Sequence, residues 1–140
     1  MIVIQKEVVL RARRRGFYLV TPEILSQLPN LKSIHAGVLH IFVKHISASL
    51  TVNENADPAV RNDFEKYFTH AIPDGASYIE HDTEGDDDMP AHLKASLLGS
   101  SVSIPITNGT LNLGTWQGIY FCEHRNDGAE RKIVCTMMGE

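Results

Sequence analysis

Histidine is the residue type in this sequence with the most chemistry to offer, and the positions of three of them say more than the count of seven in 140 residues. His45 closes a strongly apolar run and leads directly into Ser47, Ser49 and Thr51, so its imidazole can face a pocket while the preceding strand is buried. His81 lies inside an acidic stretch. His92 is followed by Ala95, Ser96 and Gly99 at helical spacing, small neighbours that leave its ring reachable. Three imidazoles with nearby carboxylates suit a divalent metal with an open coordination position. The expected ligands are His45, His81 and His92 with Asp82, and the ion is Mg²⁺ or Zn²⁺. Their spacing is not a compact ligand motif, so the fold must gather them; each histidine taken singly also fits a satisfied core or surface residue.

The acidic run Glu80, Asp82, Glu84, Asp86, Asp87 and Asp88 offers hard oxygen ligands for Mg²⁺, especially alongside a substrate pyrophosphate. It reads equally as solvated loop charge, with Asp88 capping a helix. Arg11, Arg13, Arg14 and Arg15 form a basic counterpart. Further along, Gly114-Thr115-Trp116-Gln117-Gly118 enters a strand whose alternation places Thr115, Gln117, Ile119, Phe121 and Glu123 on one face. Gln117 and Glu123 are costly to bury unpaired, so an inward face would mark a site; a hairpin glycine and a core Trp is the plain alternative.

The elements that must position these groups are legible from periodicity and turn chemistry. Strands are expected at Met1–Leu10, Gly16–Val20, Gly37–His45 and Ser49–Asn53, the third apolar on both faces and therefore central. Thr21-Pro22 opens a short helix to Leu28, and Asp57-Pro58 opens a longer one whose Val60, Phe64, Tyr67, Phe68 and Ala71 form a core-facing stripe. Residues 73–88 form a long loop, and a short helix follows over Met89–Leu98, ended by Gly99. Four strands complete the chain, at Ser101–Thr107, Thr110–Leu113, Trp116–Glu123 and Arg131–Met138. Hairpin turns are expected at Asn108-Gly109 and at Asn126-Asp127-Gly128. The sum is an α+β fold: a single compact domain, mainly antiparallel sheet with two or three short helices.

Composition narrows the function classes. Thirteen Lys and Arg against 17 Asp and Glu give a net charge of −4, which opposes broad nucleic-acid or anionic-membrane binding. No apolar run approaches the roughly 20 residues that span a bilayer. Gln5, Lys6 and Glu7 interrupt the only N-terminal apolar stretch, so no signal-peptide core is expected there. Cys122 and Cys135 sit in apolar, strand-like surroundings and read as buried thiols in a reducing, cytoplasmic setting.

Three ordered segments carry a resemblance. His45-Ile46-Ser47-Ala48-Ser49-Leu50-Thr51-Val52-Asn53-Glu54-Asn55, Asp88-Met89-Pro90-Ala91-His92-Leu93-Lys94 and Leu113-Gly114-Thr115-Trp116-Gln117-Gly118-Ile119, with Arg14-Gly16-Phe17 and Gly139-Glu140 at the ends, resemble the YjbQ-like family, also called the secondary thiamine-phosphate synthase family. The resemblance spans the whole chain. It implies a β-rich α+β fold, a homotrimer, and a weak activity joining a pyrimidine-methyl diphosphate to a thiazole phosphate with release of pyrophosphate. It also implies a pocket around His45, Ser49, His81, His92 and Glu123. Dedicated thiamine-phosphate synthases are (β/α)₈ barrels, for which 140 residues are too few.

On this reading the ligand is a phosphorylated small molecule. His45, Ser49, His92 and Glu123 carry the chemistry, while Thr115, Gln117, Arg13 and Arg131 bind substrate. Mg²⁺ at Asp82 with Arg13 or Arg131 would neutralise the departing pyrophosphate, and His45 or His92 would move the thiazole proton. No organic cofactor is expected. The alternatives are a non-catalytic metal- or metabolite-binding trimer and a metal-dependent hydrolase.

Overall fold

The structure, a computed structural model, describes all residues from Met1 to Glu140. Eight strands form two antiparallel sheets. In the larger, β1 (Ile2–Leu10), β8 (Arg131–Gly139), β3 (Ala36–Val43), β5 (Ser101–Thr107) and β6 (Thr110–Leu111) follow one another in that order. In the smaller, β7 (Gln117–Asp127) lies between β2 (Arg14–Leu19) and β4 (Ala48–Glu54). The two sheets face each other across one apolar core. Val8, Leu10, Leu39, Ile41, Ile133 and Cys135 enter it from the large sheet, and Ala48, Leu50, Ile119 and Phe121 from the small one. Strand alternation sends the opposite residues of β7 outward, where Tyr120 and Cys122 meet Phe17 under a cover of helices.

That cover is the third layer. Helix α2 (Pro58–Ala71) packs on β2, and helix α3 (Asp88–Leu98) packs on β4 and β7. Asp57 caps α2 by accepting the Ala59 N–H at 2.9 Å, with Pro58 at the first helical position. Its apolar stripe is only half used. Phe64 and Phe68 stack on Phe17 at 5.4 and 5.8 Å, but no residue of α2 is fully buried and Tyr67 is 67% exposed. The expected core-facing stripe is corrected accordingly: the small sheet's outer face has room for two of those rings.

β3 is central in its sheet, yet only one of its faces is buried. Leu39, Ile41 and Val43 point into the core, while Val38 and Phe42 stay partly exposed on the outer face. The strand ends at Val43, and His45 lies beyond it in the connection to β4. Helix α1 (Thr21–Leu25) is shorter than expected and gives way to a 3-10 turn over Pro29–Ser33. Thr21 does not cap it; its hydroxyl accepts the Ile119 N–H at 2.9 Å, tying the helix to β7.

Asn108 and Gly109 take positive φ of 51° and 76° in the β5–β6 hairpin, as an Asn-Gly turn requires. The second expected hairpin does not form. β7 and β8 belong to different sheets, and residues 128–130 carry the chain between them. Gly128 is needed there for space, because a Cβ would overlap the Glu123 carboxylate. Residues 73–87 contain no helix or strand, and α3 begins at Asp88 and ends at Gly99, whose φ is 109°.

Candidate functional site

The first turn of α3 places Asp88 and His92 one helical turn apart, on the same side. The preceding loop returns His81 to the same spot. His81 Nε2 lies 2.8 Å from Asp88 Oδ2, and His92 Nε2 lies 3.8 Å from that same oxygen. The three candidate ligand atoms all fall within 4.8 Å of one another. Two imidazole nitrogens and one carboxylate oxygen, with no fourth protein ligand, form the donor set of a zinc-type site with an open position. The His81 side chain is 46% exposed, so its ring has freedom to adjust around an ion.

Asp88 is buried, and a buried carboxylate needs partners. Arg125 supplies one: its Nη1 donates to Asp88 Oδ1 at 2.8 Å, leaving Oδ2 for the histidines. The same guanidinium donates from Nε to Asp87 at 3.0 Å and from Nη2 to the Glu84 carbonyl at 2.9 Å. Burial by itself would raise the Asp87 carboxyl, but the Asn126 N–H and Arg125 hold it below its ordinary value. Arg125 thus fixes the loop, the start of α3 and the free face of Asp88 together.

A cleft of about 400 Å³ opens beside His92, lined by His45, Ile46, Ala48, Ala95, Ser96 and Ser100 as well. His45 faces it from the β3–β4 connection. Its Nε2 accepts the Lys132 N–H at 2.8 Å, continuing the β3–β8 ladder past the end of β3. Burial, and then the Arg131 charge, lower its pKa. Behind it Arg131 is committed: Nε and Nη2 bond both oxygens of buried Glu123 at 2.8 and 2.5 Å, and Nη2 also reaches Ser47 at 3.0 Å.

The structure therefore brings together His81 and His92, with His45 across the cleft, and disperses the other expected residues. Asp82 stands outside the ligand cluster, on a separate hollow with His81, Gly75, Ser77 and Asp86. His45 is also outside the cluster. Ser49 points to the opposite face of the small sheet, where its Oγ shares a 2.8 Å hydrogen bond with His124 Nε2, both fully buried. Burial there pushes the His124 pKa down to about 3, with Lys94 and Arg131 adding to the effect. Glu123 faces Arg131 rather than open space. Arg13 pairs with Glu23 and lies over the Tyr18 and Phe121 rings. Thr115 and Gln117 sit at the other end of β7: Gln117 pairs with Glu54, whereas Glu123 pairs with Ala48. Six residues of strand separate those ends by about 20 Å.

Two contributors lie outside the expected ligand set of His45, His81, His92 and Asp82. Asp88 enters the sequence reading as one of six acidic candidates for Mg²⁺ and as a helix cap; it makes no capping bond, and its i, i+4 spacing to His92 is the visible signal for a shared ligand face. Arg125, 37 residues further on, gives no local signal at all.

Similar proteins share this architecture. A family model described as UPF0047 protein YjbQ-like matches residues 6–140. UPF0047 protein YjbQ of Escherichia coli O157:H7 is 51% identical over 136 residues, covering 97% of this chain and 98% of the relative. A crystal structure of an uncharacterized YjbQ/UPF0047 protein from Clostridium acetobutylicum superposes with a TM-score of 0.82 at 35% identity, covering 95% of this chain and 99% of the other. A hypothetical protein from Aeropyrum pernix K1 gives a TM-score of 0.85 at 29% identity, over 98% and 99% of the two chains.

Proposed function

We propose, from the premise that this chain belongs to the YjbQ-like UPF0047 family, that it is a divalent-metal-dependent enzyme acting on a phosphorylated small molecule. The observation that carries this reading is the convergence of His81 Nε2, Asp88 Oδ2 and His92 Nε2 within 4.8 Å beside an open cleft. A metal held there would supply Lewis acidity toward a phosphate oxygen or a bound water. Asp88 Oδ2 would be the carboxylate ligand between the two imidazoles, and Arg125, donating to Oδ1, holds that carboxylate in place. The cleft beside His92 receives the ligand, with Ser96 and Ser100 on its wall.

Two nitrogens and one oxygen favour a zinc-type ion over Mg²⁺, and hence hydrolysis as the reaction class. The second reading is the secondary thiamine-phosphate synthase activity, supported by the His45–Asn55, Asp88–Lys94 and Leu113–Ile119 segments. There the charge to be neutralised is that of the departing pyrophosphate. A metal- or metabolite-binding role without catalysis is the third. We assign the protein to a homotrimer in a reducing, cytoplasmic setting, supported by its partly apolar outer sheet face and by two buried free thiols. No organic cofactor enters this reading; the −4 net charge disfavours nucleic acid, and no helix is long and apolar enough to cross a membrane.

Elemental analysis of tag-free protein tests the site. About one equivalent of zinc or another transition metal is expected per chain, lost in His92→Ala. Failure of the unmodified protein to bind Zn²⁺ would remove the metal reading. Pyrophosphate release from the two thiamine precursors that depends on Mg²⁺ alone would move the assignment to the synthase.

A further inference from the structure

His45 carries information that its placement outside the ligand cluster does not exhaust. The Lys132 N–H donates to its Nε2 at 2.8 Å. A backbone amide has only a proton to offer, so Nε2 must present its lone pair. The ring proton of the neutral imidazole is then on Nδ1. The tautomer is imposed by the sheet: Lys44 N–H donates to the Lys132 carbonyl at 3.1 Å, and the imidazole takes the next ladder position in place of a backbone acceptor. Nδ1 has no partner within the chain and is not among the buried unpartnered atoms, so it keeps contact with solvent, and the residue that carries it lines the cleft. An N–H at Nδ1 has no lone pair. It can neither ligate a metal nor accept a proton while the Lys132 bond stands.

The polar groups around this cleft are His45, His92, Ser96 and Ser100, with no carboxylate on its wall. The ring N–H of His45 and the hydroxyls of Ser96 and Ser100, beside the candidate metal cluster that includes His92, are complementary to an anion carrying several oxygens. We propose that His45 is a fixed hydrogen-bond donor, its Nδ1–H directed at an oxygen of a phosphate group bound between it and the metal on His81, Asp88 and His92. This rests on the metal reading for the position of the phosphate, but not for the tautomer. It makes His45 a residue that selects for a phosphate-bearing ligand.

Two substitutions separate the nitrogens. In His45→Asn the side-chain amide reaches where Nδ1 stands and restores a donor. In His45→Gln the longer chain reaches where Nε2 stands, keeps an acceptor for Lys132 and removes the donor. The measurements use full-length, zinc-loaded protein titrated with methylphosphonate, and separately with acetate, by calorimetry. NMR of metal-free protein carrying isotope-labelled histidine reads the tautomer directly. Expected are an Nδ1–H His45 at neutral pH, unchanged zinc affinity in both variants, and methylphosphonate bound nearly normally by His45→Asn. His45→Gln should bind it more weakly by roughly tenfold to a hundredfold, the worth of one hydrogen bond to a charged oxygen. An Nε2–H or doubly protonated ring overturns the assignment, whatever the metal does. Zinc lost in either variant makes His45 a ligand and also overturns it. Equal binding of methylphosphonate by the two variants removes the donor role, and acetate bound as tightly as methylphosphonate removes the phosphate selectivity. Absence of zinc binding by the unmodified protein, with the tautomer as expected, fails the metal reading and with it the bridging position of the phosphate.

Discussion

Asp88 is the residue on which the site turns, because its two oxygens serve different masters: Oδ1 takes the Arg125 guanidinium and Oδ2 faces both histidines. Asp88→Asn keeps the size and removes the charge. It should abolish zinc binding and lower stability by about 1–3 kcal/mol, since Arg125 loses a charged partner; metal analysis and urea melts on one sample check both. Asp82→Asn gives the contrast. Asp82 lies outside the ligand cluster, so zinc affinity and melting temperature should both stay unchanged, and a lost metal would return Asp82 to the ligand set. His124 contributes to acid behaviour instead. Its folded pKa of about 3 lies far below the ordinary 6.5, so the unfolded chain binds a proton that the folded chain refuses. Stability is then full above about pH 6.5 and falls by up to about 1.4 kcal/mol per unit as pH drops toward 3. In His124→Gln that slope should shrink over the same window, as read from denaturant midpoints at stepped pH.

Among the elements, the β7–β8 connection shows how packing can overrule a local signature. Asn126-Asp127-Gly128 has the composition of a hairpin turn, yet it carries the chain from one sheet to the other. Gly128 is required by the Glu123 carboxylate beneath it, which is locked to Arg131. Gly128→Ala must displace a buried ion pair. The expected loss is about 3 kcal/mol or more, with the His81–Asp88–His92 cluster intact in the folded fraction; thermal melts paired with zinc titration decide it. Helix α2 behaves as its sequence predicts at its N-terminus, where Asp57 caps it. Its stripe did not predict burial, because helical periodicity reports which face turns inward and not how much surface the neighbouring sheet can cover.

At the scale of the whole molecule, three layers place the cluster at the start of α3 and the cleft between α3 and the β3–β4 connection. The outer face of the large sheet leaves Val3, Val38, Phe42 and Met138 partly exposed. Sedimentation equilibrium is expected to give three times the 15.6 kDa chain mass; a single-chain mass at all concentrations would exclude the trimer. The sequence by itself determined the α+β class, most of the strands, the Asp57 cap, the Gly99 stop and the Asn108-Gly109 hairpin. Each depends on periodicity or on the backbone preference of a few neighbouring residues, which are local properties. It also singled out His81 and His92 as chemically apt, because an acidic loop and small helical neighbours flank them. Only the tertiary structure decided that Asp88 rather than Asp82 completes their set, that Ser49 turns away toward His124, and that Thr115 and Gln117 stand a strand's length from Glu123. Those outcomes depend on which sheet each strand joins and on pairs such as Asp88 with Arg125. Contacts across 37 residues of chain are set by packing, and no local pattern encodes them.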